Sequence, residues 1–179
     1  MILAPDLFPP AVVRSATLSE CGTYRYELRR VWNDTLPLLV VCMLNPSIAD
    51  ANVDDPTVLT LIHFGKEWGY GGLLIVNLYA FRSPSPKEML AVGPAAIGPK
   101  NERYTAAAVF YARDNGGKLL AAWGNDGNDR AIWFAQWTRC KGVELICLGT
   151  TKSGAPKHPM ARGVHRIPRD QRPIPWGAA

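Results

Sequence analysis

Two nearly continuous apolar runs, LPLLVVCML (36–44) and LLIVNLYAF (73–81), constrain this chain more than any other feature. Runs of this kind are hidden on both faces, as in interior strands of a sheet covered by helices. KLLAAWG (118–124) and VELICLG (143–149) are shorter examples, each closed by glycine. Helical segments lie between them. Residues 56–68 carry a stripe through Val58, Leu61, Ile62 and Trp68, and residues 101–111 and 129–140 follow the same period. Strand and helix therefore alternate, which predicts parallel strands joined by crossover helices.

GTYRYELRRVW (22–32) alternates Tyr24, Tyr26 and Leu28 with Arg25, Glu27 and Arg29. That pattern predicts a half-buried strand at the sheet edge. GVHRIP (163–168) reads as a last edge strand. The expected fold is α/β: a three-layer sandwich around a mostly parallel four-stranded sheet, with edge strands at either end. All 179 residues form one α/β domain in this reading, with an N-terminal extension (1–20) and a basic C-terminal segment (160–179).

A hydrophobic fraction of 47% with 20% charged residues excludes a disordered chain. No apolar stretch approaches the length of a membrane span. MILAPDLFPPAVV has neither the basic region nor the apolar core of a secretory signal. Cys21, Cys42, Cys140 and Cys147 stand singly, so neither a zinc ribbon nor a redox pair is indicated, and a reduced, cytoplasmic setting is expected. The sequence leaves the oligomeric state open.

Ligand crevices in parallel sheets lie beyond the carboxyl ends of the strands. Four polar or turn-rich stretches are expected there: MLNPS, NLYAFRSPSP, WGNDGND and GTTKSGAPKHPMAR. In MLNPSIADANVDDPTV (43–58), Asn45 reads either as a ligand-holding amide or as a turn residue, with Pro46 fixing the turn. Ser47 reads as a phosphate donor or a backbone partner. Asp50, Asp54 and Asp55 read as a turn plus helix cap, or as a Mg²⁺ site. Asn77, an amide inside an apolar run, either pins a loop or reads the edge of a planar base. Tyr79 or Phe81 either stacks on that base or belongs to the core. Asn125 and Asp126 mark the crevice rim, and Asp129 caps a helix. Lys157 and His158 sit in a post-strand loop, where an imidazole can steady a phosphate or a developing oxyanion. There is no GxxxxGK[ST] and no GxGxxG opening a helix, so no cofactor is implied, and three scattered histidines assign no metal site.

The net charge is +5. Lys152, Lys157, Arg162, Arg166, Arg169 and Arg172 face a single carboxylate, Asp170, across 152–172. This segment is either a phosphate-contacting surface or a solvated tail.

The stretches MLNPSIADANVDDPTV, WGYGGLLIVNLYAFRSPSP, VGPAAIGPKN and GAPKHPMA closely resemble the bacterial and phage family catalogued as domain of unknown function 1643. More distantly, the layout is similar to the uracil-DNA glycosylase superfamily. That likeness implies a four-stranded parallel core, with Asn45 positioning a water, Asn77 reading a base and His158 stabilising the departing base. The chain lacks GxDPY and the second proline of an HPSP loop, and only Met160 stands where the superfamily has its leucine wedge. The functional expectation is a nucleobase- or nucleotide-binding enzyme that hydrolyses an N-glycosidic bond, with a nucleobase-containing small molecule or nucleic acid as partner. Asn45 and His158 are its catalytic residues, and Pro46, Ser47, Asp50, Asn77, Phe81, Asn125 and Lys157 its binding residues. The alternatives are a non-catalytic nucleic-acid-binding protein and a metal-dependent nucleotide or phosphoester hydrolase.

Overall fold

The structure, a computed structural model, describes residues 12–177. The reading of MILAPDLFPPA (1–11) lies outside the described residues. One seven-stranded sheet organises the chain: β1 (Val13–Leu18), β2 (Arg25–Val31), β3 (Leu38–Met43), β4 (Gly72–Asn77), β5 (Lys118–Ala121), β6 (Glu144–Cys147) and β7 (Ile174–Pro175). Their spatial order is β1-β2-β4-β3-β5-β6-β7. The pairings β1–β2, β2–β4 and β6–β7 are antiparallel, whereas β3 pairs parallel with β4 and β5, and β5 with β6.

The expected mostly parallel, four-stranded sheet is thus corrected to a mixed sheet of seven strands, half of whose pairings are antiparallel. The error lies mainly in β2. It is an interior strand between β1 and β4, not an edge. Arg25, Tyr26, Leu28 and Arg30 are all buried along it. The β1–β2 register slips at Thr17/Leu18, and both sides of the strand are covered near that irregularity. GVHRIP forms a short 3₁₀ turn (Gly163–His165), and the final strand lies further on, at β7.

Helices α1 (Pro56–Glu67), α2 (Pro86–Ala91), α3 (Asn101–Asp114) and α4 (Asn128–Cys140) cover the sheet. On one face Val58, Leu61 and Phe64 of α1 pack on Leu39, Val41, Leu73 and Ile75. On the other, Ala108, Val109 and Ala112 of α3 and Phe134 and Ala135 of α4 pack on Val40, Cys42, Leu74 and Val76. None of these helices is long and apolar enough to cross a membrane among the described residues.

Two buried arginines tie β2 to the loop entering α1. Arg30 Nε donates to Asp54 Oδ1 (2.6 Å), and Arg30 Nη2 donates to the carbonyls of Asp50 (2.6 Å) and Val53 (3.3 Å). Its Nη1 donates to the Arg29 carbonyl at 2.7 Å. Arg25 Nη1 donates to the carbonyl of Ala49. Burial lowers the Arg25 guanidinium to about 10, with Asp55 opposing that shift, and it stays a cation at neutral pH. Asp54 also accepts from Arg14 at 3.3 Å, and Asp55 caps α1 through the Val58 N–H (2.9 Å). Asp50 accepts from the N–H groups of Asn52 and Val53, which hold its carboxyl below the usual range. All three carboxylates of this loop thus have structural partners. Removing one partner of a buried pair strands the other charge. Arg30→Ala is therefore expected to cost about 3–5 kcal/mol of unfolding free energy in a urea titration, with proteolytic nicking appearing first within 49–55.

Candidate functional site

The loops after β3, β4, β5 and β6 meet around a crevice of about 490 Å³ at the carboxyl ends of the parallel strands. Asn45, Ser47, Asn125 and His158 line it together with Trp123 and Arg162. Asn45 leaves β3 and donates from Nδ2 to the Ser83 carbonyl at 2.8 Å, joining the β3 and β4 exits. The Ser83 N–H returns a bond to the Pro46 carbonyl at 2.9 Å, so Pro46 serves as backbone anchor. Among the described residues nothing donates to Asn45 Oδ1, which leaves an acceptor on a crevice-lining residue.

Trp123, two residues past β5, is buried and held edge-on by Phe134 and Trp176. The next residue, Gly124, has φ +73°, a left-handed turn that a side chain would strain. Asn125 follows on the rim, its Oδ1 accepting from the Thr151 and Ser153 hydroxyls at 2.7 and 2.9 Å. After β6 the chain doubles back: the Thr151 N–H donates to Ala155, and the Lys157 N–H to Gly149. This hairpin delivers His158 to the crevice.

His158 Nδ1 accepts from the Met160 N–H at 3.1 Å, so the single proton of the neutral ring sits on Nε2. Burial lowers its pKa below the usual value, and the nearby Asp55 carboxylate opposes that shift only in part. The site therefore offers a neutral N–H donor, an amide acceptor and the wall of Trp123.

Besides Pro46, four expected binding residues do not line the crevice. Asn77 is fully buried, lines none of the cavities, and neither atom of its amide has a protein partner. It pairs with Met43 of β3, which lines the crevice, while its own side chain does not. Phe81 lines an adjoining open cavity with Thr23 and Arg82, which shares Ser47 and Ile48 with the crevice. Asp50 closes its own turn, and the Lys157 side chain packs under Gly149. Trp123, Met160 and Arg162, which lie inside the stretches expected at the crevice, and Asp55, read as a helix cap or Mg²⁺ ligand, also line it, although none was named as a binding residue. Trp123, which closes the apolar run KLLAAW and opens WGNDGND, was the readable signal.

A second groove of about 530 Å³ adjoins the first and shares Met160 and Arg162 with it. Arg166 and Arg169 line this groove beside His63 and Thr60 of α1. The basic segment is not a free tail here. The Arg169 carbonyl bonds His63 Nε2 (2.9 Å), the Gln171 carbonyl accepts from Trp68 Nε1 (3.1 Å), and Arg172 Nη1 donates to the Glu67 carbonyl (3.1 Å). Arg162, Arg166 and Arg169 are exposed and make no ion pair among the described residues.

The fold is a mixed α/β sheet with a polar crevice at its strand ends and an arginine groove beside it. The family model described as "Protein of unknown function (DUF1643)" matches residues 25–160, and the chain belongs to that family. Comparisons with curated proteins and with solved structures return no match. The likeness to uracil-DNA glycosylases therefore finds no support, and the seven-stranded mixed sheet departs from the compact core it implied. The hydrolytic reading is corrected with it: the Asn45 amide nitrogen is bonded to the main chain, and Asn77 lies outside the crevice. Among the described residues no group of three or more His, Cys, Asp or Glu is placed to hold a metal ion.

The His158 environment generates a pH prediction. A folded-state pKa below the unfolded value means that the unfolded chain binds the proton more readily. The contribution is complete above the unfolded imidazole value of about 6.5 and is lost as pH falls from there through the lowered folded value. Thermal unfolding from pH 7.5 down to 5 is expected to show a falling midpoint that flattens in His158→Asn. An unchanged pH profile in that variant contradicts the assignment.

Proposed function

We propose that this protein is a non-catalytic nucleic-acid-binding protein that holds a single strand. The observation that carries the reading is the continuity of the two cavities: crevice and arginine groove share Met160 and Arg162. A base that enters the crevice finds the Nε2–H of His158, the Oδ1 of Asn45 and the Trp123 wall. The phosphates on its flank run along Arg162, Arg166 and Arg169. This combination of a cationic track with a base-sized recess is how single strands are held without extensive base reading.

A single strand fits better than a duplex. The cations line a concave groove, whereas a duplex presents its phosphates on a broad convex cylinder and demands an equally broad positive face. Asp55 and Asp126 beside the crevice disfavour a phosphate there, which confines the backbone to the arginine side. A cytoplasmic setting accords with this partner.

Anisotropy titrations of labelled single-stranded DNA and RNA across a salt series test the reading. Three arginine–phosphate contacts contribute about −2 to the slope of log K against log salt, roughly −0.7 per contact. Arg166→Ala is expected to reduce that slope by about 0.7, with the fold intact because the side chain is exposed. Binding that ignores salt, a slope unchanged in a triple Arg162/Arg166/Arg169→Ala variant, or a preference for duplex each contradicts the proposal.

A further inference from the structure

A base seated in the crevice has two backbone flanks, and the arginine groove receives only one of them. The other flank has to leave past a different wall. The crevice has a second neighbour, the open recess of about 450 Å³ with which it shares Ser47 and Ile48. This recess and the arginine groove have no lining residue in common. They also open on different flanks of the sheet. Phe81 and Arg82 follow β4, and Phe81 bridges to Tyr24 just before β2. Met160 and Arg162 follow β6, which β3 and β5 separate from β4. The crevice therefore stands between two outlets.

The recess has the chemistry of a phosphodiester site. Arg82 is the one charged residue that lines it. Its Nη1 donates to the Gly22 carbonyl at 3.2 Å, and its main-chain N–H to the Thr23 carbonyl at 3.0 Å. Those two bonds hold the residue in place. Among the described residues its Nε is buried with no acceptor, and the guanidinium makes no ion pair. Asp50, the carboxylate that feels this charge, is occupied by the N–H groups of Asn52 and Val53. The buried Arg25 cation feels it too, and adds to the local positive field. A charged donor withdrawn from water without an acceptor is stabilised by an arriving anion.

The lip between crevice and recess is neutral. Ser47 is half-buried and lines both cavities, and a hydroxyl there can donate to a passing phosphate. Ile48 beside it is 59% exposed. On the far wall Phe81 is half-buried and braced by the Tyr24 ring, edge-on at 6.2 Å. Asp55 and Asp126 line the crevice, whereas no carboxylate lines the recess. A backbone leaving the crevice on this side thus moves away from negative charge and towards Arg82.

We propose that the Ser47–Ile48 lip and the Arg82 recess form a second phosphate subsite through which the strand leaves the crevice, an assignment that rests on the single-strand reading. The protein then holds an internal stretch of a strand and not its end. Phosphates are gripped on both flanks of one recessed base, with Arg162, Arg166 and Arg169 on one side and Arg82 on the other.

Anisotropy competition on the full chain tests it, with an oligothymidylate ladder of about 2 to 12 nucleotides, the size range of single-strand sites. Affinity is expected to rise with length in two stages, the second when the strand reaches Arg82. Arg82→Gln keeps a donor for the Gly22 carbonyl and removes the charge. It is expected to weaken long oligonucleotides about fivefold at about 0.1 M salt, the equivalent of one contact at roughly −0.7 in the salt slope. Strands too short to cross the lip bind both forms equally. Thr23→Glu, which sets a carboxylate beside Arg82 and outside the crevice, is expected to give the same length-dependent loss. It keeps the test decisive if circular dichroism shows that Arg82→Gln fails to fold. A loss equal for short and long strands, no loss in either variant, or competition by inorganic phosphate as strong as by long strands overturns the exit subsite alone. Failure to bind any oligonucleotide, or binding indifferent to Arg162, Arg166 and Arg169, overturns the single-strand reading and the subsite with it.

Discussion

The buried pair between Arg30 and Asp54 is the contact on which the crevice and the arginine groove depend. Withdrawing a guanidinium and a carboxylate from water is favourable only when the guanidinium's remaining donors also find acceptors. Arg30 meets that condition with Asp54, two loop carbonyls and one carbonyl of its own strand. Arg25 adds a second anchor one turn earlier in the loop, at Ala49. Together they make β2 an interior strand and hold 49–54 against the sheet. Asp55 and Pro56 then begin α1 at a defined place. Because the basic segment is bonded to α1 through His63, Glu67 and Trp68, the position of the arginine groove follows from the same anchor.

This also shows where the sequence was readable and where it was not. The interior strands β3 and β4 were legible because burial on both faces leaves almost no polar residue in the run. The α1 start was legible because a capping aspartate and a first-turn proline act locally. β2 was not: its arginines look identical whether they meet water or a carboxylate, and Asp54 lies 24 residues beyond Arg30. β1, VRSATL, offers only weak alternation, and β7 is two residues among prolines. Neither could be recognised without the strand it pairs with.

The site divides along the same line. Asn45, Ser47, Asn125 and His158 were placed by one rule, that loops leaving parallel strands converge at one edge. Asn77 and Phe81 defeat it for different reasons. Asn77 is the last residue of β4 proper, paired with Met43, so its side chain is still inside the sandwich. Phe81 has already crossed to a bridge with Tyr24, on the β2 side of the sheet. One residue of register decides such cases, and the apolar run LLIVNLYAF does not mark where pairing with β3 stops.

The two faces of the sheet are chemically segregated. The α1 side gathers arginines with no ion pair among the described residues around a concave groove, where the proposed strand would relieve the repulsion among them. The α3–α4 side instead covers its cations with aromatic rings and balances them with Glu102, Asp114 and Asp129, so it carries little net attraction for phosphate.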